Sequence, residues 1–200
     1  MDPRPDLPDD ARSVHSPGSS VAVELWLVRH GETPRSRDRR LAGWADIPLT
    51  PEGENQARAL RPLLWCCHFD AVWSSDLQRT IATARLAFGE PTPDRRLREI
   101  DFGTLDDLPY LEMAEPLRLA LERFEGFAAP GGESLADVRA RVDDWAVGLR
   151  AGRHLVFTHG GVIRTFGKEA GADLFVPTGS VVVIDWSGRR LLETRLRATT

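Results

Sequence analysis

Two histidines in this chain each stand just past a short apolar run. Leu25-Trp26-Leu27-Val28 leads through Arg29 to His30 and Gly31, and Leu155-Val156-Phe157 leads through Thr158 to His159, Gly160 and Gly161. Such runs read as interior strands of a mainly parallel sheet. In an open α/β sheet, ligands bind beyond the carboxyl ends of the strands. Two imidazoles delivered to one rim, the first with a guanidinium beside it, suit chemistry on an anionic group. Arg-His-Gly alone carries little weight. Its pairing with a second His at the same kind of strand end makes the signal specific.

The elements that must position these residues follow from hydrophobic spacing and turn chemistry. The first strand is expected over residues 21–28. Thr50-Pro51-Glu52 has the form of a helix start, with an N-cap, Pro at the first position and an acid in the first turn. Ala57, Leu60 and Leu64 continue that helix at helical spacing. A second strand covers residues 70–74, and Asp76 opens a helix to about Phe88 that carries Arg79 near its beginning. A short extended piece at 97–100 precedes an irregular stretch, 101–109. One helix is expected over 110–124, with a kink at Pro116.

After the Pro130-Gly131-Gly132 loop, Leu135, Val138, Val142, Trp145 and Leu149 recur in steps of three and four. A coiled-coil seam would need more turns of that repeat, so a core-facing amphipathic helix is the better reading. The strand into His159, a helix from Gly161 and a last strand at 181–184 complete an alternation of strands and helices. That alternation argues for an α/β fold.

Bulk properties narrow the classes. Two hundred residues accommodate one domain with a substantial core, expected over 21–200 behind a tail at 1–20. Apolar residues at 42% and charged residues at 28% are those of an ordinary soluble globular protein. A net charge of −4 and a pI near 5.8 argue against a polyanion-binding surface, so no nucleic-acid partner is expected. Residues 1–20 are rich in Pro, Asp and Ser and lack an apolar run, which suits a disordered tail rather than a signal peptide or anchor. No later stretch approaches the roughly 20 apolar residues of a membrane span, so no membrane partner is expected.

Cys66 and Cys67 are adjacent and have no other Cys to pair with, so no disulfide framework exists. They read as small apolar residues at a helix end, and the chain reads as cytoplasmic. His68 follows them, but without a second ligand cluster or a His-Glu-x-x-His helix no metal is expected. His15, His68 and His154 have no motif around them and read as structural or exposed.

Taken together, the blocks have a family look. Leu27-Val28-Arg29-His30-Gly31-Glu32-Thr33 resembles the opening motif of the histidine phosphatase superfamily, which has the phosphoglycerate mutase-like fold. The resemblance continues through residues 43–50 (Gly-Trp-Ala-Asp-Ile-Pro-Leu-Thr), 74–80 (Ser-Ser-Asp-Leu-Gln-Arg-Thr) and 97–103 (Leu-Arg-Glu-Ile-Asp-Phe-Gly). It closes with 130–134 (Pro-Gly-Gly-Glu-Ser) and 158–164 (Thr-His-Gly-Gly-Val-Ile-Arg). The blocks stand in the family's order and cover nearly everything past the tail. They imply a three-layer α/β fold with a mostly parallel central sheet and helices on both faces.

The resemblance also implies roles, and the residue types suit them. A phosphoryl group needs a nucleophile, charge compensation for its equatorial oxygens and a proton source for the leaving oxygen. His30 is the implied nucleophile, provided its other ring nitrogen donates to an acceptor that fixes the tautomer. Gly31 permits a tight turn and a close approach of backbone to ligand. Arg29 and Arg79 offer guanidinium forks to oxyanion oxygens, Arg79 with the positive end of its helix behind it. His159 and the Gly160 N–H are further donors, and Thr33 and Ser36 fall on the phosphate side. Glu99 matches the family's acid, with Asp101 as the competing carboxylate. No cofactor is implied, and the partner is a small phosphorylated substrate.

Two departures touch substrate choice. Many relatives carry Asn where this chain has Ser36, and often Trp-Glu-Gly-Leu where it has Leu105-Asp106-Asp107-Leu108. The basic cluster of Arg35, Arg37, Arg39 and Arg40 reads either as a solvated loop or as a device that steers phosphorylated substrates. The leading reading is a phosphatase acting on small phosphomonoesters through a phosphohistidine, resembling the short bacterial branch with α-ribazole phosphatase. Two alternatives stay open: a phosphoglycerate mutase, whose usual Tyr-Gly block is missing here, and a phospholigand-binding pseudo-enzyme.

Overall fold

The computed structural model describes residues 22–195, so the expected tail at 1–20 lies outside the described residues. Six strands form one sheet: β1 (Val23–Arg29), β2 (Ala71–Ser74), β3 (Thr92–Pro93), β4 (Gly152–Thr158), β5 (Val181–Asp185) and β6 (Arg190–Arg195). Their order is β3-β2-β4-β1-β5-β6. β1 and β4 lie at the centre with partners on both sides, which is why their sequences are continuous apolar runs. Adjacent residues of β1 feed opposite faces. Leu25 and Leu27 pack in one buried cluster, while Trp26 and Val28 pack in another. The three-layer α/β arrangement follows from that alternation.

Helices cover both faces. On one side are α2 (Pro51–Ala59), α3 (Arg61–Trp65) and α4 (Gln78–Ala87), which deliver Leu64, Ala84 and Ala87 to the Trp26 cluster. On the other are α6 (Leu135–Val147) and α7 (Gly160–Glu169), which deliver Val138, Val142, Trp145, Val162 and Phe166 to the Leu25 cluster. The stripe on α6 is therefore core-facing. The remaining helices, α1 (Pro34–Arg37) and α5 (Glu115–Arg123), belong to the segments around the site.

The sheet is mostly parallel, as expected: pairing is parallel from β3 to β1, while β5 pairs antiparallel with β1, and β6 with β5. Several local expectations are corrected. The helix from Thr50 breaks at Leu60 because Pro62 has no N–H to continue it. Asp76 does not cap α4; its carboxylate takes both arms of the Arg98 guanidinium at 2.7 Å each. Residues 97–100 form no strand. A 3₁₀ turn at Arg95–Leu97 leads into a segment whose carbonyls accept from side chains, Thr158 Oγ1 on Leu97 and Trp44 Nε1 on Glu99.

The single helix expected over 110–124 is a 3₁₀ turn, Tyr110–Glu112, followed by α5. Pro116 sits in the first turn of α5, where its missing N–H has no partner to lose, so it starts a helix instead of kinking one. Cys66 caps the end of α3 but is exposed, and both cysteines are free.

Candidate active site

The register of the central strands builds the site. β1 and β4 pair residue for residue from Val23 opposite Gly152 to Arg29 opposite Thr158. The next residues, His30 and His159, therefore leave the sheet side by side. The His30 N–H donates to the Thr158 carbonyl at 3.0 Å. The two imidazole centroids lie 5.2 Å apart with planes at 62°, and both rings are buried.

The tautomer of His30 is set by its own loop. Nδ1 lies 2.7 Å from the Gly31 carbonyl, which can only accept, so Nδ1 carries the proton and the Nε2 lone pair is free. Burial first, then the charges of Arg79 and Arg29, hold His30 well below the usual imidazole range and keep it neutral. Gly31 is needed for a reason other than ligand approach. A Cβ there would collide with the Gly53 backbone at the start of α2. The Gly31 N–H donates to Thr83 Oγ1 at 3.0 Å, and that hydroxyl donates to the Arg79 carbonyl at 2.7 Å, tying the His30 loop to α4.

Arg79 is fully buried in the first turn of α4. Its terminal nitrogens donate to the carbonyls of Ala45 at 2.9 Å, Gly43 at 2.7 Å and Ala42 at 3.4 Å. Much of the expected fork thus holds the 42–45 loop, while Nε stays without a partner. Arg29 donates from Nη1 to the Val176 carbonyl at 2.5 Å, and its Nε is likewise unpartnered. Burial lowers both guanidinium pKa values, Arg79 to about 10, so both remain cationic at neutral pH.

His159 has neither ring nitrogen bonded, and burial together with Arg79 and His30 keeps it neutral too. Among the described residues, five buried side-chain polar atoms lack a partner, and four are these: Arg29 Nε, Arg79 Nε and both nitrogens of His159. Buried polar atoms are normally satisfied. Two unpaired guanidinium N–H groups and the single N–H of a neutral His159, beside a second neutral imidazole, are donors that an oxyanion would complete.

Glu99 comes from the irregular segment after Leu97. Its carboxylate accepts the Gly161 N–H at the start of α7, at 3.0 and 3.2 Å, and the Ile100 N–H at 3.0 Å. Asp101, the competing carboxylate, accepts the Gly103 N–H at 3.0 Å and lines no part of the cavity. Arg141 on α6 had no local motif to announce it. It donates to the carbonyls of Glu99 at 2.9 Å and Arg96 at 2.7 Å, and pairs with Glu133 at 2.7 Å.

A cavity of about 870 Å³ opens over this floor. Arg29, His30, Ser36, Glu99 and Gly160 line it, whereas Arg79, His159 and Thr33 lie behind its wall. Thr33 and Ser36 cap α1 reciprocally: the Thr33 side chain accepts from the Ser36 N–H, and the Ser36 hydroxyl from the Thr33 N–H. Their first task is therefore to fix the turn after His30. The basic cluster is largely neutralised by the unusual acidic pair. Arg35 bonds Asp106 at 2.8 Å and Asp107 at 3.1 Å, and Arg40 bonds Asp107 at 2.8 Å. His154 is structural, accepting from Trp73 Nε1 and contacting the Arg150 carbonyl, and His68 is exposed.

Among the described residues no group of three or more His, Cys, Asp or Glu gathers as metal ligands, and no helix is long and apolar enough to cross a membrane.

Comparisons with known proteins bear on the family and the fold. The chain is 35% identical over 163 residues to 2,3-bisphosphoglycerate-dependent phosphoglycerate mutase 2 of Gloeobacter violaceus, covering 72% of this chain and 74% of that one. It is 33% identical over 159 residues to fructose-2,6-bisphosphatase TIGAR B of Danio rerio, covering 75% of this chain but 61% of that one. In structure it resembles TTHB049 of Thermus thermophilus, with a TM-score of 0.82 and 46% identity over 87% of this chain and 99% of that one. It also resembles a putative alpha-ribazole-5'-P phosphatase of Escherichia coli, with a TM-score of 0.74 and 27% identity over 89% and 97% of the two chains. The sequence pattern of the histidine phosphatase superfamily (branch 1) matches residues 25–197, and the chain belongs to that superfamily.

Proposed function

We propose that this chain is a phosphatase that hydrolyses small phosphomonoesters through a phosphohistidine on His30. The observation that carries the reading is the cluster of unpartnered buried donors, Arg29 Nε, Arg79 Nε and His159, around an imidazole whose Nε2 is a free base. Nε2 attacks phosphorus while the ester P–O bond breaks, and Glu99 gives its proton to the leaving alkoxide. The negative charge on the phosphoryl oxygens meets Arg29 at the cavity wall, and Arg79 and His159 act on it from behind that wall. Water then attacks phosphorus, Glu99 takes its proton, the P–N bond breaks, and phosphate leaves with His30 neutral again.

A phosphatase is favoured over a mutase by the charges on the cavity wall. A mutase acting on phosphoglycerate must hold a carboxylate and a second phosphate. Here Arg40 on that wall is already paired with Asp107, and Arg35 near it in sequence with Asp106 and Asp107. The similarity to the Gloeobacter mutase keeps the alternative worth measuring. A phospholigand-binding pseudo-enzyme is disfavoured by the complete set of His30, Arg29, Arg79, Glu99 and His159.

The test is phosphate release from a panel of monoesters, with His30→Ala as the control. The same enzyme is incubated with 3-phosphoglycerate, with and without 2,3-bisphosphoglycerate. We expect phosphate release, its loss by several orders of magnitude in His30→Ala, and an acid-labile phosphoenzyme in the parent. Bisphosphate-dependent formation of 2-phosphoglycerate faster than any phosphate release would establish the mutase instead. Binding without turnover of any substrate would establish the pseudo-enzyme.

A further inference from the structure

The outer part of the cavity differs in chemistry from its floor. Two aromatic side chains stand on its rim, Phe124 at the end of α5 and Phe175 in the loop after α7. Phe175 is 86% exposed, yet its neighbours are fixed. Leu174 packs against the core, and Val176 is buried with its carbonyl on Arg29. A large apolar side chain held open to water on a pinned loop, at the mouth of a cavity, suits a ligand contact.

Phe124 is held with equal care. It adopts a left-handed backbone, φ 56° and ψ 43°, uncommon for a bulky residue and strained, so its surroundings must hold it there. The Arg164 guanidinium lies 4.7 Å from its ring centroid. That same arginine donates to the carbonyls of Leu121 and Glu122 at 3.0 and 2.6 Å, and grips Asp173 with both arms at 2.6 and 3.0 Å. One side chain thus straps the end of α5 to the loop that carries Phe175, so the Phe124 ring and the backbone beneath Phe175 are set before any ligand arrives.

The charges on the wall point the same way. Arg40 and Arg164, which line it, are matched by Asp107 and Asp173. Arg39 lines the cavity without an ion pair among the described residues, but Glu32 and Glu122 line it too. A second anion on the substrate would find little net positive charge beyond the floor.

We propose that the rim selects phosphomonoesters whose alcohol carries a flat apolar ring, with Phe175 as the specificity-determining contact, and that it disfavours alcohols bearing a second anionic group. This deepens the phosphatase reading and rests on it. Phenethyl phosphate and n-butyl phosphate have leaving groups of similar basicity, so their kcat/KM ratio reports recognition rather than bond cleavage. We expect phenethyl phosphate to be favoured by about tenfold or more over both n-butyl phosphate and 3-phosphoglycerate. Phe175→Ala should bring the phenethyl-to-butyl ratio close to one and leave n-butyl phosphate hydrolysis within about twofold of the parent.

A binding arm separates failure of this proposal from failure of the phosphatase reading. Calorimetry with phenylphosphonate and methylphosphonate needs no turnover. Tighter binding of phenylphosphonate, lost in Phe175→Ala, supports the rim even if no ester is hydrolysed. Hydrolysis of all three esters with no preference for the ring, or a preference unchanged in Phe175→Ala, overturns it. So does a Phe175→Ala variant that changes only self-association in sedimentation.

Discussion

The Gly161 backbone N–H donates to both carboxylate oxygens of Glu99, at 3.0 and 3.2 Å, from the first turn of α7. A Cβ on Gly161 would collide with Glu99 Oε1 and press on the Ile100 side chain. This glycine therefore serves the carboxylate proposed for proton transfer, which reaches the site from a segment about sixty residues earlier. Gly161→Ala should displace Glu99 and leave His30 in place. We expect kcat on an alkyl phosphate to fall by about 10²-fold, near the lower end of what a general acid contributes. The loss should shrink on p-nitrophenyl phosphate, whose leaving group scarcely needs a proton. Glu99→Gln should show the same dependence with a larger amplitude, and equal losses on both substrates would remove Glu99 from the role.

Arg141 positions Glu99 without lining the cavity. Its donors fix the Glu99 and Arg96 carbonyls, and its partner Glu133 accepts the Asp101 N–H at 2.9 Å. Arg141→Ala leaves Glu133 mostly buried without its counter-charge and should destabilise the fold by about 3 kcal/mol. Arg141→Lys keeps the charge but loses the planar fork. We expect it to fold, to bind phosphate normally, and to lose kcat more on poor than on good leaving groups. A KM effect alone would show that Arg141 does not act through Glu99.

His30 and His159 are both held well below the ordinary value of 6.5, chiefly by burial. In the unfolded chain both titrate near that ordinary value, so unfolding takes up protons as the pH drops beneath it. Stability should be full above about pH 6.5. It should decline as pH falls toward the folded-state values, by about 1.4 kcal/mol per pH unit for each imidazole. Urea midpoints measured from pH 8 to 5 check this, and His159→Gln should roughly halve the slope. Half the expected slope in the parent would mean that one of the two rings is charged in the folded protein, and a flat profile that both are.

The acidic pair can be tested through Asp107, whose carboxylate serves both Arg35 and Arg40. Its backbone has φ 69°, a conformation Asn also tolerates, so Asp107→Asn should fold normally. The exposed pairs it weakens contribute little stability, about 1 kcal/mol at most. Freed of that charge, the wall should bind a second anion better. We expect KM for 3-phosphoglycerate to fall several-fold at low salt and to recover with added salt, while n-butyl phosphate is unaffected.

The positive charge proposed for catalysis comes from Arg29 and Arg79, so activity should survive prolonged chelation. Vanadate and inorganic phosphate should compete for the same floor. Loss of activity with chelator, restored by one divalent cation, would require a different mechanism.

The sequence by itself determined the two strand ends and their histidines. Interior strands bury both faces, so β1 and β4 had to be continuous apolar runs, and the polar residues that end them had to lie at the rim. It also determined the cap at Thr50, where a side chain answers a backbone N–H three residues on. It did not reveal β3 or β6, which are edge strands carrying Pro or charges in place of an apolar run.

Only the tertiary structure decided that Glu99 lines the cavity and Asp101 does not, because two carboxylates two residues apart differ only in what their segment packs against. It also decided that Asp106 and Asp107 answer the arginines about seventy residues earlier, and that Arg164 joins the two sides of the rim. Such pairings depend on sheet order and on irregular segments held by distant donors. No local spacing encodes them, since the residues meet only after β1 and β4 have come together.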